Sequence, residues 1–173
     1  MKVIGIDPGI TGGISVCHNN KIIDAIPMPA HKVKFVKKEY NLVNFKEVTN
    51  FFKKHNPDKI YIELVGARPN QGTVSMFNFG FSTGGLHGVA DALGIEIYTV
   101  MPQKWKKLIF ESGTGDKDDA IAFCGVNCPD ISLLPTKRSK TKSHGIADAI
   151  CISIYGMKDA TENINKRKTD GVN

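Results

Sequence analysis

Val3-Ile4-Gly5-Ile6-Asp7-Pro8-Gly9-Ile10-Thr11-Gly12-Gly13 opens the chain with a short apolar run that ends in a carboxylate and a glycine-rich turn. A run of this kind, closed by Pro and Gly, reads as a buried strand over residues 3–7. Asp7 is then a charge in an unfavourable place, because an ionised carboxylate buried without a partner costs several kcal/mol. It needs a cation to face. Two further acids repeat the pattern. Glu63 stands inside Ile60-Tyr61-Ile62-Glu63-Leu64-Val65, and glutamate is disfavoured in buried strands. Asp148 stands inside Ile146-Ala147-Asp148-Ala149-Ile150-Cys151-Ile152. An aspartate after a strand is often only a turn-former. Three acids far apart in sequence, each embedded in apolar residues, point instead to one shared divalent-metal site.

Outward from Asp7, residues 13–17 and 21–26 read as strands paired in a hairpin about His18-Asn19-Asn20. Pro27-Met28-Pro29 ends the hairpin, and the basic stretch to about residue 40 reads as a loop or irregular edge segment. Leu42, Phe45, Val48, Phe51 and Phe52 recur at helical spacing, which predicts a helix over residues 42–54. Pro57-Asp58 turns the chain into a strand over 59–65. Residues 74–93 read as a helix despite Gly80, Gly84, Gly85 and Gly88. Each glycine costs a helix up to about 1 kcal/mol, so their number implies close packing or a ligand near the backbone. A strand over 95–100, a short helix from Pro102 containing Trp105, a helix over 116–123 and a basic loop over 129–142 follow. Ser143 is placed to cap a last helix running to about residue 155. The fold class is α/β: a mixed five-stranded sheet, three antiparallel strands and then parallel ones, flanked by helices. Residues 1–158 form one domain, and 159–173 read as a polar, frayed tail.

The composition, 41% hydrophobic and 23% charged over 173 residues, is that of a soluble globular domain. No apolar stretch approaches the roughly 20 residues that span a bilayer, and no leader is visible, so neither a membrane partner nor export is expected. Cys17, Cys124, Cys128 and Cys151 have no framework spacing, which predicts free thiols and a cytoplasmic location. The net charge is +6, and the cations are clustered: Lys32, Lys34, Lys37 and Lys38; Lys104, Lys106 and Lys107; Lys137, Arg138, Lys140 and Lys142; Lys166, Arg167 and Lys168. Single clusters are often solvated surface. Cations flanking embedded acids fit a polyanion such as nucleic acid, which the acids alone would repel.

His144 and Asp148 are four residues apart, one turn along one helix face. Asp7, Glu63, Asp148 and His144 are therefore expected to converge at one end of the sheet. Oxygen ligands suit Mg2+ or Mn2+, and an imidazole is tolerated better by Mn2+. Two such ions, about 4 Å apart, would activate a water and steady the leaving oxygen of a phosphodiester.

With these residues in view, the chain resembles the RuvC-type Holliday junction resolvases of the RNase H-like superfamily, in the versions found in phages. The resemblance spans residue 3 to about residue 156. It rests on Ile4-Gly5-Ile6-Asp7-Pro8-Gly9, Ile62-Glu63, the run from Arg68-Pro69-Asn70-Gln71 to Phe79-Gly80, and Gly145-Ile146-Ala147-Asp148-Ala149, in that order. It implies an RNase H-like fold and a catalytic set of Asp7, Glu63, Asp148 and His144 as ligands to two Mg2+ or Mn2+ ions. At the His144 position many relatives carry aspartate, and bacterial members space this ligand three residues from the last acid, where this chain has four. The resemblance implies two lysines near the scissile phosphate, Lys106 by a Pro-x-x-x-Lys spacing and Lys117 eleven residues later. Lys104 and Lys107 would then touch backbone phosphates elsewhere. The loop bearing Arg68, Asn70 and Gln71 would meet DNA near the cut. Phe77 and Phe79 would either stack there or pack in the core or at the dimer interface. Lys137, Arg138, Lys140 and Lys142 would add phosphate contacts. The implied substrate is branched DNA, a four-way junction. A homodimer would nick it symmetrically to leave 5′-phosphate and 3′-hydroxyl ends in the cytoplasm, the host's if the chain is phage-encoded.

Three alternatives stay open at this level. One is an RNase H-like nuclease acting on RNA, flaps or other branched substrates, since the metal site is common to all of them. Another is an actin-like or sugar-kinase ATPase, which shares Gly5-Ile6-Asp7-Pro8-Gly9. Those need two lobes, whereas this chain has length for one, so no nucleotide cofactor is expected. The third is a module that binds junctions without cutting them.

Overall fold

The apolar run before Asp7 becomes the middle strand of the sheet. A computed structural model of the chain describes residues 1–36, 38–64, 66, 72–110 and 118–170. In it β1 (Lys2–Asp7) lies between β2 (Gly13–His18) and β6 (Lys59–Glu63), with β3 (Lys21–Pro27) and β7 (Glu96–Val100) outside them. The order β3-β2-β1-β6-β7 has antiparallel pairs on the β3 side and parallel pairs on the β7 side, the mixed RNase H-like sheet expected from the sequence. Asn19 and Asn20 both take positive φ, 50° and 65°, as the tight β2–β3 turn requires.

Helices cover both faces, so β1 reads as a continuous apolar run instead of an alternating one. Ile4, Ile6, Ile14, Val16, Ile60 and Ile62 build one core with Val48 and Phe52 of α1 (Phe45–His55) and Leu86 of α2 (Thr73–Ala92). Val3, Cys17 and Tyr61 face the other way. They pack with Trp105 of α3 (Pro102–Ile109), Cys124 of α4 (Asp119–Asn127) and Ile146 and Ile150 of α5 (His144–Asp170). α5 lies directly along β1 and β2, where the buried hydroxyls of Ser15 and Ser153 meet at 3.2 Å. Asn44 caps α1 by accepting from the Glu47 N–H.

Several elements depart from the sequence reading, among them α4, which ends at Asn127 where residue 123 was expected. The basic stretch after Pro29 is a separate hairpin, β4 (Ala30–Phe35) and β5 (Lys38–Val43). Its register pairs Val33 with Tyr40 and His31 with Leu42 on one face, and Lys32 with Asn41 and Lys34 with Glu39 on the other. The period of two was present, but lysine on the solvent face made it resemble a loop. Leu42 accordingly belongs to β5, and α1 starts at Phe45. The last helix, expected to end near residue 155, runs on to Asp170 with Met157 and Ala160 still buried. Of the α2 glycines only Gly85 is close-packed, with the Phe45 ring where its Cβ would be. Gly80, Gly84 and Gly88 face open space.

Candidate active site

β1 and β6 end side by side. Their parallel register pairs Ile6 with Ile62, so the next residues, Asp7 and Glu63, emerge together at the carboxyl edge of the sheet. That edge is where open sheets with parallel strands bind ligands. α5 begins at the same edge: Ser143 Oγ accepts from the Ile146 N–H at 3.3 Å and sets the first turn. Ala147 and Ile150 then turn into the core, while Asp148 remains half-buried beside the other two acids.

The electrostatics show that the three carboxylates sense one another. Burial raises the Asp7 pKa from its ordinary 3.8 to about 7; the Gly9 N–H, donating to Asp7 Oδ1 at 3.1 Å, opposes the rise, and the charges of Glu63 and Asp148 add to it. Burial, and then the charge of Glu63, raise Asp148 from 3.8 to about 6 in all. Lys106 and His144 oppose the rise. Glu63 Oε1 accepts a 2.9 Å hydrogen bond from Trp105 Nε1.

Asp7 and Asp148 border a cleft of about 650 Å3 whose lining also includes Thr11, Trp105, Lys106, Lys142 and His144; Glu63 lies behind it, bonded to Trp105. One wall is the segment between α4 and α5, anchored by buried Leu133, whose carbonyl accepts from the Ser143 N–H at 2.8 Å. His144, the first residue of α5, lies in the lining with its Nε2 3.9 Å from Asp118 Oδ1. Lys106 Nζ rests 5.5 Å above the Trp105 ring.

The remaining expected residues divide by position. Lys104 and Lys107 are exposed on α3, and Lys137, Arg138 and Lys140 are exposed on the α4–α5 segment; all five are outside the cleft lining. Phe77 is 70% exposed and lies in a neighbouring groove with Tyr40, Leu42, Val74 and Phe81. The aromatic ring close to the Asp7 turn is instead Phe79, whose Cε1 is 3.5 Å from where a Cβ on Gly9 would be. Arg68, Asn70, Gln71 and Lys117 lie outside the described residues.

Whether a divalent cation fits can be judged from the donors. Among the described residues no group of three or more His, Cys, Asp or Glu side chains is placed to hold a metal ion. The donor chemistry nevertheless suits a hard cation: three neighbouring carboxylates, Asp7, Glu63 and Asp148, with an imidazole nearby. A cation among them would offset the burial and the mutual repulsion that raise Asp7 and Asp148. The sequence reading placed Trp105 on a short helix and gave it no role. The available signal was its position as the only tryptophan, directly before Lys106.

No protein-family model matches the chain, and no curated protein sequence does. Among the described residues, no helix is long and apolar enough to cross a membrane. Solved structures do match. The Thermus thermophilus RuvC structure aligns with a TM-score of 0.61 at 19% identity, covering 94% of this chain and 97% of that one. T. thermophilus RuvC in complex with Holliday junction substrate gives 0.62 at 18% identity, covering 94% and 96%. The yeast mitochondrial Holliday junction resolvase Ydc2 gives 0.49 at 15% identity, covering 90% and 77%. Over nearly its whole length, then, the chain has the fold of RuvC.

Proposed function

We propose that the chain is a divalent-metal-dependent endodeoxyribonuclease that resolves four-way DNA junctions. The observation that carries this reading is the meeting of Asp7, Glu63 and Asp148 beside Lys106, Lys142 and His144 at the carboxyl edge of the sheet. Buried acids held close together, as Asp7 and Asp148 are with Glu63, weaken the fold that holds them, and such groups cluster at functional sites. The RuvC fold, and the Holliday junction substrate bound to T. thermophilus RuvC, support branched DNA as the partner.

Asp7, Glu63, Asp148 and His144 would hold two Mg2+ or Mn2+ ions, which when bound supply an activated water and neutralise the leaving 3′-oxygen. The chain's own groups orient and attract. The Gly9 N–H fixes Asp7, and Lys106 borders the cleft in which the scissile phosphate would lie; the family resemblance assigns Lys117 the same task. Lys104, Lys107, Lys137, Arg138, Lys140 and Lys142 hold flanking phosphates, contacts that position DNA without reading its sequence. Arg68, Asn70, Gln71 and Phe77 meet the branch itself. Two copies would nick strands of like polarity and leave ligatable 5′-phosphate and 3′-hydroxyl ends. Support for a homodimer comes from α2, where Gly80, Gly84 and Gly88 form an open stripe and Val74, Phe77 and Phe81 are exposed. The setting is the cytoplasm, that of a host if the chain is phage-encoded, and the catalytic unit is residues 1–158 with 159–173 as a tail.

Matched four-way, three-way and linear duplex DNAs incubated with Mg2+ or Mn2+ test the reading. Paired, symmetric nicks are expected in the four-way junction, at a rate at least about ten times that on linear duplex, a difference of about 1.4 kcal/mol in barrier. Equal rates on all three substrates would contradict it.

A further inference from the structure

α3 buries one side chain completely, that of Trp105. Its ring lies edge-on to Phe110 at 6.0 Å and packs in the core beneath the cleft. An indole has a single donor, Nε1–H, and a buried one needs an acceptor. Here the acceptor is Glu63 Oε1 at 2.9 Å. The adjacent Lys106 lays its ammonium over the same ring from the cleft side. One short helix thus touches one acid through a hydrogen bond and carries a cation toward another.

We propose that Trp105 is a positioning residue for the metal site: its indole N–H holds one oxygen of Glu63 so that the other is presented to the divalent ion. This rests on the reading of Glu63 as a metal ligand. A donor to a carboxylate forms a charge-assisted bond, stronger and more directional than a neutral one. Donors behind a ligating carboxylate keep it oriented, and their loss typically weakens metal binding 10- to 100-fold. Phenylalanine at position 105 would retain most of the packing and none of the donation, so Trp105→Phe isolates the N–H.

Mn2+ affinity measured by calorimetry on the full chain, without DNA, is the test. Trp105→Phe is expected to stay folded, bind Mn2+ about ten-fold more weakly, and need a correspondingly higher Mn2+ concentration for half-maximal cleavage. The metal-free Tm, measured alongside, separates this from a packing defect, which would lower Tm and affinity together. A folded Trp105→Phe with wild-type Mn2+ affinity overturns the proposal. Should that variant not fold, the single tryptophan provides a second measurement. Mn2+ is expected to quench Trp105 emission in the wild type and to do so much less in Glu63→Gln; equal quenching in both overturns it. Trp105-dependent Mn2+ binding without cleavage of any branched DNA would support the positioning role and remove the nuclease reading. Junction cleavage with unchanged Mn2+ affinity in Trp105→Phe would do the reverse.

Discussion

Asp7→Asn is expected to lower metal-dependent cleavage of a four-way junction about 1,000-fold or more while junction binding persists. Metal catalysis of this kind supplies several kcal/mol of transition-state stabilisation, and each 1.36 kcal/mol is a factor of ten in rate. The amide oxygen of asparagine can still accept from the Gly9 N–H, so the turn is kept and only the charge is lost. A second signature separates a functional acid from a structural one. Without metal at about pH 8, Asp7→Asn should be more stable than the wild type, because it removes a buried anion that Glu63 and Asp148 repel. Cleavage within ten-fold of wild type, or loss of junction binding, would remove Asp7 from the centre of the site.

Gly5→Ala is the substitution expected to do most damage to the fold. Gly5 lies in β1, between Ser15 of β2 and Tyr61 of β6, where α5 passes directly over the strand. A Cβ there would clash with Ser153 N and Ala149 O and stand 2.7 Å from Ser153 Cα. All three are helix backbone atoms, so no rotamer change relieves the clash, and α5 must lift away from β1. Overpacking by small groups typically costs about 1–3 kcal/mol through side-chain adjustment. A backbone-on-backbone clash should reach or exceed the top of that range, lowering Tm by roughly 6–12 °C for a chain of this size. Because Asp148 is carried on α5, metal binding should fall with it. Gly125→Ala on the exposed face of α4 is the control: nothing lies within 4 Å of its Cβ, and helix propensity predicts a gain of up to about 1 kcal/mol. A Gly5→Ala variant as stable as the Gly125→Ala control would contradict the close approach of α5 to β1.

What the sequence disclosed depended on how directly each residue type constrains its surroundings. Gly5-Ile6-Asp7-Pro8-Gly9 located a strand, its end and a misplaced charge together, because apolar run, proline and glycine each restrict the backbone independently. Glu63 and Asp148 were legible for the same reason: each is an acid among residues that exclude water. The β4–β5 hairpin was not, since alternating lysines leave only Val33, Tyr40 and Leu42 to signal a partly covered face, and a charged period of two resembles a solvated loop. Trp105 was passed over because its role depends on Glu63, 42 residues away, meeting its N–H across the end of the sheet. Propensity and spacing carry no trace of a contact of that kind. Phe77 and Phe79 could not be ranked by proximity to Asp7 until the rotation of α2 against the β1–β2 turn was known.

The central claim is that Asp7, Glu63 and Asp148 form one cation site, and the pH dependence of stabilisation by Mn2+ tests it most directly. Asp7 is raised from 3.8 to about 7 and Asp148 from 3.8 to about 6, so the folded chain holds these protons more tightly than the unfolded chain. Their contribution to stability is complete below the unfolded value near 3.8 and is lost as pH rises through about 6 to 7. A divalent ion replaces those protons and reverses the loss. Tm measured with and without Mn2+ should differ little at about pH 5, and by an amount that grows between about pH 6 and 7 to a plateau near pH 8. In Asp7→Asn most of that growth should vanish. An Mn2+ effect that is absent at pH 8, or the same size at pH 5 as at pH 8, would show that the three acids do not share a cation.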